Sequence, residues 1–328
     1  MFAKSRSFLV QCILKKKETL PDSGITTDVV IMDGSALVNI LVPRTSKTLA
    51  EYAEKEFLPK IKASTEKYLR CNVVLDTYPA SSLKAETRSR RGEGSRRRVS
   101  ETEKLPRNWR NFLRHSENKT ELFQYLADKV IESCFQNWVV VTKGPHADAF
   151  SNRIDIDLAE ISPCNHKEAD TRMFLHFADA VNSGFTTAMV KANDTDILVI
   201  GVAMFLRLKE AGLHDLWITN GQGCHLKWIP IHELTTALSP EKFHGLFFFH
   251  AFTGCDTVSV FRGKGKKSAW QTWEVLPYAS DVFTKLSSYP PMIEDEDIKI
   301  IEQFVVTMYD RSSTSETVDE ARLELSQG

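Results

Sequence analysis

The sequence is poor in the features that mark secreted and membrane proteins. Its 328 residues include only six cysteines, and no two of them form a CxxC pair, a pattern typical of reduced thiols in an intracellular protein. No run of about 18 apolar residues occurs, so no membrane-spanning helix is expected. The apolar stretch near the N-terminus is too short for the core of a signal peptide. We therefore expect an intracellular protein with no membrane partner.

An excess of one charge sign is also missing. The 42 Lys and Arg residues are balanced by 43 Asp and Glu residues, a formal net charge of -1. This balance excludes a uniformly basic nucleic-acid binder. It still permits local clusters, and residues 84–98 contain seven basic side chains against two acidic ones.

Short apolar runs alternate with amphipathic helical stretches in the first two thirds of the chain. Strands are predicted at 27–32, 71–75, 138–142, 187–191 and 216–219. Strands that alternate with helices form a mostly parallel sheet covered on both faces. After residue 231 only helical patterns follow, at about 231–252, 266–276, 279–287 and 294–309. The predicted fold class is therefore α/β, with a helical C-terminal region.

Four parts are predicted along the chain. They are an irregular N-terminal segment at 1–26, an α/β core at 27–230 with a basic insertion at about 84–108, a helical region at 231–310, and a frayed tail at 311–328.

Acidic residues follow the predicted strands. Asp33 and Asp76 come directly after the first two strands, and Asp194 and Asp196 follow the fourth. Because the functional residues of such sheets gather at the carboxyl ends of the strands, we expect these side chains at one edge. Three further acids extend the pattern, namely Glu168, Asp170 and Asp256.

Crowded carboxylates repel one another unless a cation neutralises them. Their oxygens select Mg²⁺ or Mn²⁺ rather than zinc. Two such ions about 4 Å apart can activate a water and stabilise a leaving oxygen in phosphodiester hydrolysis. A single Asp after a strand is more often a helix cap or turn residue, and Asp194 and Asp196 can both cap the next helix. The prediction of a two-ion site depends on the coincidence of seven acids.

Five sequence blocks carry a resemblance to a known family. They are VVIMDGSALV, NVVLDTYPASSLKAETRSRR, NHKEADTRMFLHFA, KANDTDILVIG and GCDTVSVFRGKGKKSAW, spread over about residues 27–275. In this order they resemble the PIN-like 5′ nucleases, the flap-endonuclease and XPG-type enzymes. The resemblance implies a PIN-like fold with a helix-hairpin-helix-like C-terminal region, two divalent metals held by the seven acids, and cleavage of branched or single-strand-containing DNA, or of RNA, in the nucleus.

The same resemblance assigns roles to basic residues. Lys84 and Arg91 are similar to the family's basic pair over the scissile phosphate, although the interval from Asp76 to Lys84 is one residue longer than the usual pattern. The sequence pattern HAFTGCDT…GKGKKSAW is also similar to that of a group of multi-copy animal proteins. Members of that group continue past the equivalent of this C-terminus, which implies a truncated copy or a fragment.

Two basic clusters are candidate contacts for nucleic acid. Residues 84–98 are predicted to form an arch that grips a single-stranded phosphate backbone, and a localisation signal or a solvated loop is the alternative. In the second cluster two glycines allow a tight turn near a phosphate, followed by a helix start that favours an anion; an ordinary basic turn is the alternative. The further candidate residues are Arg88, Arg90, Arg96, Arg97 and Arg98 in the first cluster, and Gly263, Lys264, Gly265, Lys266 and Lys267 in the second.

Two other functions stay open beside a divalent-metal-dependent, structure-specific nuclease. A catalytically silent member of the same fold would bind nucleic acid or act as a scaffold without cleaving. A haloacid-dehalogenase-type phosphatase would use Asp194 and Asp196 as its DxD nucleophile motif. The phosphatase explains neither the arginine-rich block nor the GCD…GKGKK region, so the nuclease is the favoured prediction.

Overall fold

The computed structural model describes residues 25–77, 94–166, 169–192, 195–220, 226–255, 258 and 260–327. Within them the chain is an α/β protein with a seven-stranded mixed sheet flanked by helices. The chain divides into two compact units. The described residues up to 197, together with 204–231, form the sheet unit, and 198–203 with 232–327 form the helical unit.

The sheet has a parallel centre and antiparallel edges. Its strands are β1 (Val29–Asp33), β2 (Arg70–Val74), β3 (Trp138–Lys143), β4 (Asp148–Ser151), β5 (Thr187–Lys191), β6 (Asp215–Asn220) and β7 (Lys227–Pro230). They lie in the order β4-β3-β2-β1-β5-β6-β7, and only β4 and β7 are antiparallel to their neighbours. The five predicted strands are confirmed. The edge strands were missed because short edge strands lack a continuous buried apolar run.

Helices cover both faces of this sheet. The helices whose residues lie wholly or partly in the sheet unit are α1 (Gly34–Ile40), α2 (Leu49–Tyr52), α3 (Leu58–Lys67), α4 (Trp109–Phe112), α5 (Ser116–Ile131), α6 (Ala169–Asn182) and α7 (Thr195–Glu210). A wide π turn at Ala53–Phe57 joins α2 to α3, so the helix predicted over 47–69 is continuous but locally underwound. Helices α3 and α5 pack against the face that holds the main apolar core, and α6 packs against β1 and β2 on the other face.

The helical unit is built around aromatic rings. Its helices are α8 (Ile231–Ala237), α9 (Pro240–Phe252), α10 (Lys266–Val275), α11 (Ala279–Ser287), α12 (Asp295–Tyr309) and α13 (Val318–Gln327). Phe249 and Trp273 are fully buried and stack with ring centroids 4.8 Å apart. The single helix predicted over 231–252 is two helices, because Ser239 caps α9 and Pro240 occupies its first turn. The tail predicted to be frayed contains α13.

The strand order reverses between β1 and β5. The chain first adds β2, β3 and β4 on one side of β1, and then continues with β5, β6 and β7 on the other side. Open α/β sheets bind ligands at the carboxyl edge beside such a reversal. Asp33, the last residue of β1, stands at this point. Among the described residues, no helix combines the length and apolar character needed to cross a membrane.

Candidate functional site

Asp33 ends β1 and caps α1. Its Oδ1 accepts a hydrogen bond from the backbone N–H of Ala36 at 2.9 Å. Gly34 follows because a Cβ at this position would collide with the side chain of Leu75 and lie 3.1 Å from the carbonyl oxygen of Val74. The Asp-Gly pair therefore starts a helix and lets that helix approach the end of β2 closely.

Asp76 connects the end of β2 with two helices. Its Oδ2 accepts a hydrogen bond from Ser35 Oγ at 2.7 Å, and its Oδ1 accepts one from the N–H of Ala169, the first residue of α6, at 3.2 Å. Arg172 Nη2 lies 4.0 Å from the same Oδ1, and the Arg172 side chain is only 1% exposed. Asp76 thus holds the starts of α1 and α6 together, next to a buried positive charge.

Two more predicted acids lie in first helical turns. Asp170 is in the first turn of α6 and Asp196 in the first turn of α7, and both are half-buried. The positive end of a helix dipole stabilises a carboxylate at such a position. The four described acids therefore all lie at the carboxyl edge of the sheet. Each of them either lies at the start of a helix or accepts a hydrogen bond from one.

The donor chemistry of this edge suits a hard divalent cation, because its candidate ligands are carboxylate oxygens. In the part of the chain that the structure describes, no three His, Cys, Asp or Glu side chains are grouped so that they could hold a metal ion. Glu168, Asp194 and Asp256 lie outside the described residues. The two-ion site therefore stays a prediction.

A cavity of about 110 Å³ opens beside Asp76, between the ends of β2 and β3. Thr120 and Gln124 of α5 line it together with Lys143, the last residue of β3. Lys143 forms an ion pair with Asp128 of α5. The cavity has the volume of a few water molecules. Lys143 ends its strand as Asp33 ends β1, so the strand-end signal that located the acids would also have located this cation.

A layer of buried polar side chains separates β2 from α6. Arg70 is fully buried, forms an ion pair with Asp179 and stacks on the ring of Trp138 at 4.0 Å from its centroid. Its Nε donates to Asn72 Oδ1 at 2.9 Å. Several directed contacts therefore surround this buried guanidinium, as a buried charge requires.

The layer continues along α6 toward the candidate site. Because Asn72 Oδ1 is bound to Arg70, its Nδ2 donates to Nδ1 of His176, 2.9 Å away. Burial, reinforced by the charges of Arg70 and Arg172, lowers the pKa of His176 to about 3, so the imidazole is neutral and Nδ1 accepts. One helical turn before His176 lies Arg172, which faces Asp76. Sequence reasoning missed Arg172, although a basic residue within the acidic block EADTR was a signal for it.

The described end of the basic block runs along α5. Arg96 Nε donates to Glu117 Oε2 at 2.8 Å, and the same guanidinium pairs with Glu121. Asn118 Oδ1 accepts the backbone N–H of Arg97 at 2.9 Å. Two carboxylates thus bind the Arg96 guanidinium and make it a tie between the block and α5, and the contact of Arg96 with a phosphate stays a prediction.

The rest of the block divides into exposed and undescribed residues. Arg97 and Arg98 are exposed, as the prediction of phosphate contacts requires. Burial alone would raise the pKa of Glu121, but hydrogen bonds from the Val99 N–H and from Arg96 outweigh it and lower that pKa. The predicted residues Lys84, Arg88, Arg90 and Arg91 lie outside the described residues.

The glycines of the Gly-Lys turn differ in conformation. Gly263 has a φ of +73°, a left-handed conformation that favours glycine, whereas Gly265 has a φ of -115° and is the N-cap of α10. Lys264 Nζ donates to the carbonyl oxygen of Tyr309 at 3.3 Å, and Lys267 is exposed. Only the first glycine is therefore required by the backbone geometry.

Lys266 is buried, unlike its neighbour Lys267. Its side chain was predicted to contact a phosphate, but the residue is only 8% exposed. Its Nζ donates to the carbonyl oxygen of His250 at 2.7 Å and to Thr253 Oγ1 at 2.9 Å. These contacts join the start of α10 to the end of α9, so the ammonium is part of the packing of the helical unit.

The comparisons with known proteins assign no family. No protein-family profile matches the chain, and no curated protein matches it. The resemblance to the PIN-like nucleases is therefore carried by the five sequence blocks alone.

Proposed function

We propose that this chain is a PIN-like, divalent-metal-dependent nuclease that hydrolyses phosphodiester bonds in DNA or RNA flaps or ends. One observation carries the proposal. Asp33, Asp76, Asp170 and Asp196 all lie at the carboxyl edge of the sheet, at or bound to the first turn of a helix, near the strand-order reversal. This edge is where α/β folds of this type bind their ligands.

In this proposal the acids hold Mg²⁺ or Mn²⁺, with the undescribed Glu168, Asp194 and Asp256 completing the ligand set. Bound there, two such ions supply an activated water and stabilise the leaving oxygen. The chain itself supplies orientation. Asp76 fixes the starts of α1 and α6 through Ser35 and Ala169, so Asp33, the N-cap of α1, and Asp170 in α6 are held in position before substrate arrives.

Basic residues in this proposal neutralise the phosphate backbone. Lys84 and Arg91 would stabilise charge on the phosphoryl oxygens of the scissile phosphate. Arg97 and Arg98 are exposed beside the first turn of α5, where Asn118 anchors their backbone. Thr120 of the same helix lines the cavity at Asp76.

The direct test measures cleavage of labelled flap, bubble, blunt-ended and single-stranded substrates in Mg²⁺ or Mn²⁺. Wild-type protein is expected to cleave at least one structure, and Asp194→Ala/Asp196→Ala is expected to abolish that cleavage. Asp281→Ala is the matched control, because Asp281 also lies in the first turn of a helix but has no role in the proposal. Cleavage that survives in the double variant contradicts the proposal.

Asp33→Asn separates the metal role of Asp33 from its capping role. Asparagine caps helices as well as aspartate does, so the bond from Ala36 and the thermal stability are expected to persist. The loss of a charged ligand is expected to lower cleavage and Mn²⁺ affinity by more than the about 10- to 100-fold that loss of an outer hydrogen-bond partner causes. Unchanged Mn²⁺ affinity in titration calorimetry would remove Asp33 from the ligand set.

A second candidate function is nucleic-acid binding without cleavage. The observation that favours it is that Asp33 and Asp76 already have structural roles, as a helix cap and as a tie between helices. This function is supported if salt-sensitive binding occurs with no cleavage in any divalent metal. Each phosphate contact adds about -0.7 to -0.9 to the salt slope, so Arg97→Gln/Arg98→Gln is expected to reduce the magnitude of the slope by about 1.4 to 1.8.

A further inference from the structure

One row of the sheet carries a lysine among buried neighbours. Met32, Lys191, Thr219 and Trp228 pair in register across β1, β5, β6 and β7, so their side chains point to the same face. This face is covered by α3, because Ser64 of α3 contacts the sulfur of Met32. Met32 is 2% exposed and Trp228 7%. Lys191 thus places its ammonium at the margin of an apolar core, which is unfavourable unless a partner compensates.

Two more lysines approach this position from α3. Lys60 and Lys67 are both exposed, and two helical turns separate them, so they lie on one side of the helix. Lys67 Nζ lies 5.5 Å from the ring centroid of Tyr68, and Lys191 Nζ lies 4.9 Å from the same centroid. Lys67 Nζ is also 5.8 Å from a ring of Trp228. Two ammonium groups therefore share the ring of Tyr68.

No negative charge balances these lysines within the described part of the chain. None of the three ammonium groups there has a carboxylate oxygen within 4.0 Å. The thiol of Cys71 stays neutral because burial raises its pKa to about 12, and burial raises the pKa of Tyr68 to about 12 as well. The described groups that face Lys191 are thus cationic or neutral at pH 7.

An unpaired donor completes this set of groups. The indole N–H of Trp228 is buried and has no acceptor among the described residues. A buried donor without an acceptor costs about 1–3 kcal/mol, and natural structures contain few of them. The ring of Trp228 lies beside Lys67 and in the same row as Lys191. Among the described residues, this set of groups therefore offers donors and positive charge but no anionic acceptor.

We propose that Lys60, Lys67 and Lys191, with the indole N–H of Trp228, form a binding site for a phosphate group. A phosphate offers several acceptor oxygens and negative charge, the complement of three ammonium groups and one N–H. The site lies on the α3 face of the sheet, close to the acidic edge, because Lys191 ends β5 and pairs with Met32, the residue before Asp33. It contains none of the proposed metal ligands and does not rest on the nuclease proposal. The phosphate can belong to a free phosphate ion or to a nucleic-acid strand.

Titration calorimetry of the full chain with inorganic phosphate and, separately, with a single-stranded oligonucleotide tests the site. Lys191→Met keeps the apolar stem of the side chain and removes its charge, and it is expected to weaken phosphate-dependent binding about tenfold or more. Lys60→Gln/Lys67→Gln is expected to weaken it at least as much. Lys62→Gln is the matched control, because Lys62 is exposed on the same helix but two residues from Lys60 and on a different side.

Each outcome decides the proposal or the source of the phosphate. Inorganic phosphate binding that both variants weaken supports a site for free phosphate, and oligonucleotide binding alone, weakened in the same way, supports a site for the strand. The proposal is overturned if wild-type protein binds neither probe, or if the lysine variants bind as tightly as wild type, or if Lys62→Gln weakens binding equally. If Lys191→Met does not fold, the exposed Lys60/Lys67 pair still gives the answer.

The pH dependence gives a second readout. Burial, reinforced by the positive charges of Lys60 and Lys67, lowers the pKa of Lys191 to about 8. A bound anion favours the protonated lysine, so affinity is expected to fall as the pH rises through about 8. Lys191→Met is expected to remove this fall, and an unchanged pH dependence in that variant counts against the site.

Discussion

The two faces of β2 stabilise the sheet unit in different ways. Arg70 and Asn72 point toward α6 and form the buried polar layer, whereas Cys71 and Val73 alternate with them and point into the apolar core beneath α3 and α5. Apolar burial is favourable in any well-packed arrangement. Buried polar groups are favourable only when each donor meets its acceptor. The polar face therefore fixes the position of α6, and with it the contacts of Asp76, more strictly than the apolar face could.

The largest effect is expected from breaking the ion pair on the polar face. Arg70→Met leaves the Asp179 carboxylate buried without its partner, and this is expected to lower the free energy of unfolding by about 3–5 kcal/mol in urea denaturation. Arg70→Met/Asp179→Leu is expected to recover most of that loss, because apolar replacement of a whole buried pair is often neutral. If Arg70→Met is as stable as the double variant, the buried Asp179 carboxylate does not need Arg70 as a partner, which contradicts the prediction.

A matched pair of substitutions compares the two faces directly. Asn72→Leu has nearly the same volume but removes the partners of Arg70 Nε and His176 Nδ1, so a loss of about 2–4 kcal/mol in unfolding free energy is expected. Met32→Leu on the apolar face is expected to cost less than about 1.5 kcal/mol. Equal losses in urea denaturation would contradict the distinction between the faces.

The pH dependence of stability provides the next test. The folded protein keeps His176 neutral down to a pKa of about 3, whereas the unfolded chain takes up a proton near the ordinary value of 6.5. The contribution of His176 is therefore complete above pH 6.5 and is lost as the pH falls toward 3. Between pH 7.5 and pH 5 the loss amounts to about 2 kcal/mol of unfolding free energy.

His176→Gln is the control for this test, because glutamine does not titrate. Its unfolding free energy is expected to change less than that of wild type between the same two pH values. A variant with the full wild-type pH dependence would assign the effect to other groups.

The smallest effect is expected at the exposed tie between the basic block and α5. Glu121→Gln is expected to lower the unfolding free energy by less than about 1 kcal/mol, since Glu121 and Arg96 are each about a third exposed. The local readout is faster hydrogen exchange at the Val99 amide, because Glu121 Oε2 accepts the hydrogen bond from that N–H. Because the pKa of Glu121 is lowered, its contribution is present above pH 4.5 and is lost as the pH falls. A global loss as large as that of Arg70→Met would contradict the contrast between buried and exposed pairs.

Local patterns predicted the centre of this molecule well and its edges poorly. The Val- and Ile-rich runs at β1, β2 and β3 are buried on both sides, so each is recognisable without its neighbours. The edge strands β4 and β7 exist only because a neighbouring strand offers unpaired backbone groups. The acids at strand ends followed from the strand positions, which is why Asp33 and Asp76 could be placed at one edge.

The roles of single charged side chains were harder to predict than their positions. Arg96 and Lys266 looked like phosphate contacts in sequence, yet the acceptors that bind them come from residues 13 to 25 positions away. Arg172 and Lys191 had weaker signals, a basic residue in an acidic block and a lysine at a strand end. Both face groups that only the packed sheet brings near.

The sequence by itself determined the α/β class, the five central strands and the presence of acids at their carboxyl ends, because these follow from short-range periodicity in a single chain segment. The tertiary structure alone decided which charges neutralise one another and which stay without a partner. A buried charge is stable only beside its complement, and that complement lies on another element of the fold, as it does for Arg70 with Asp179.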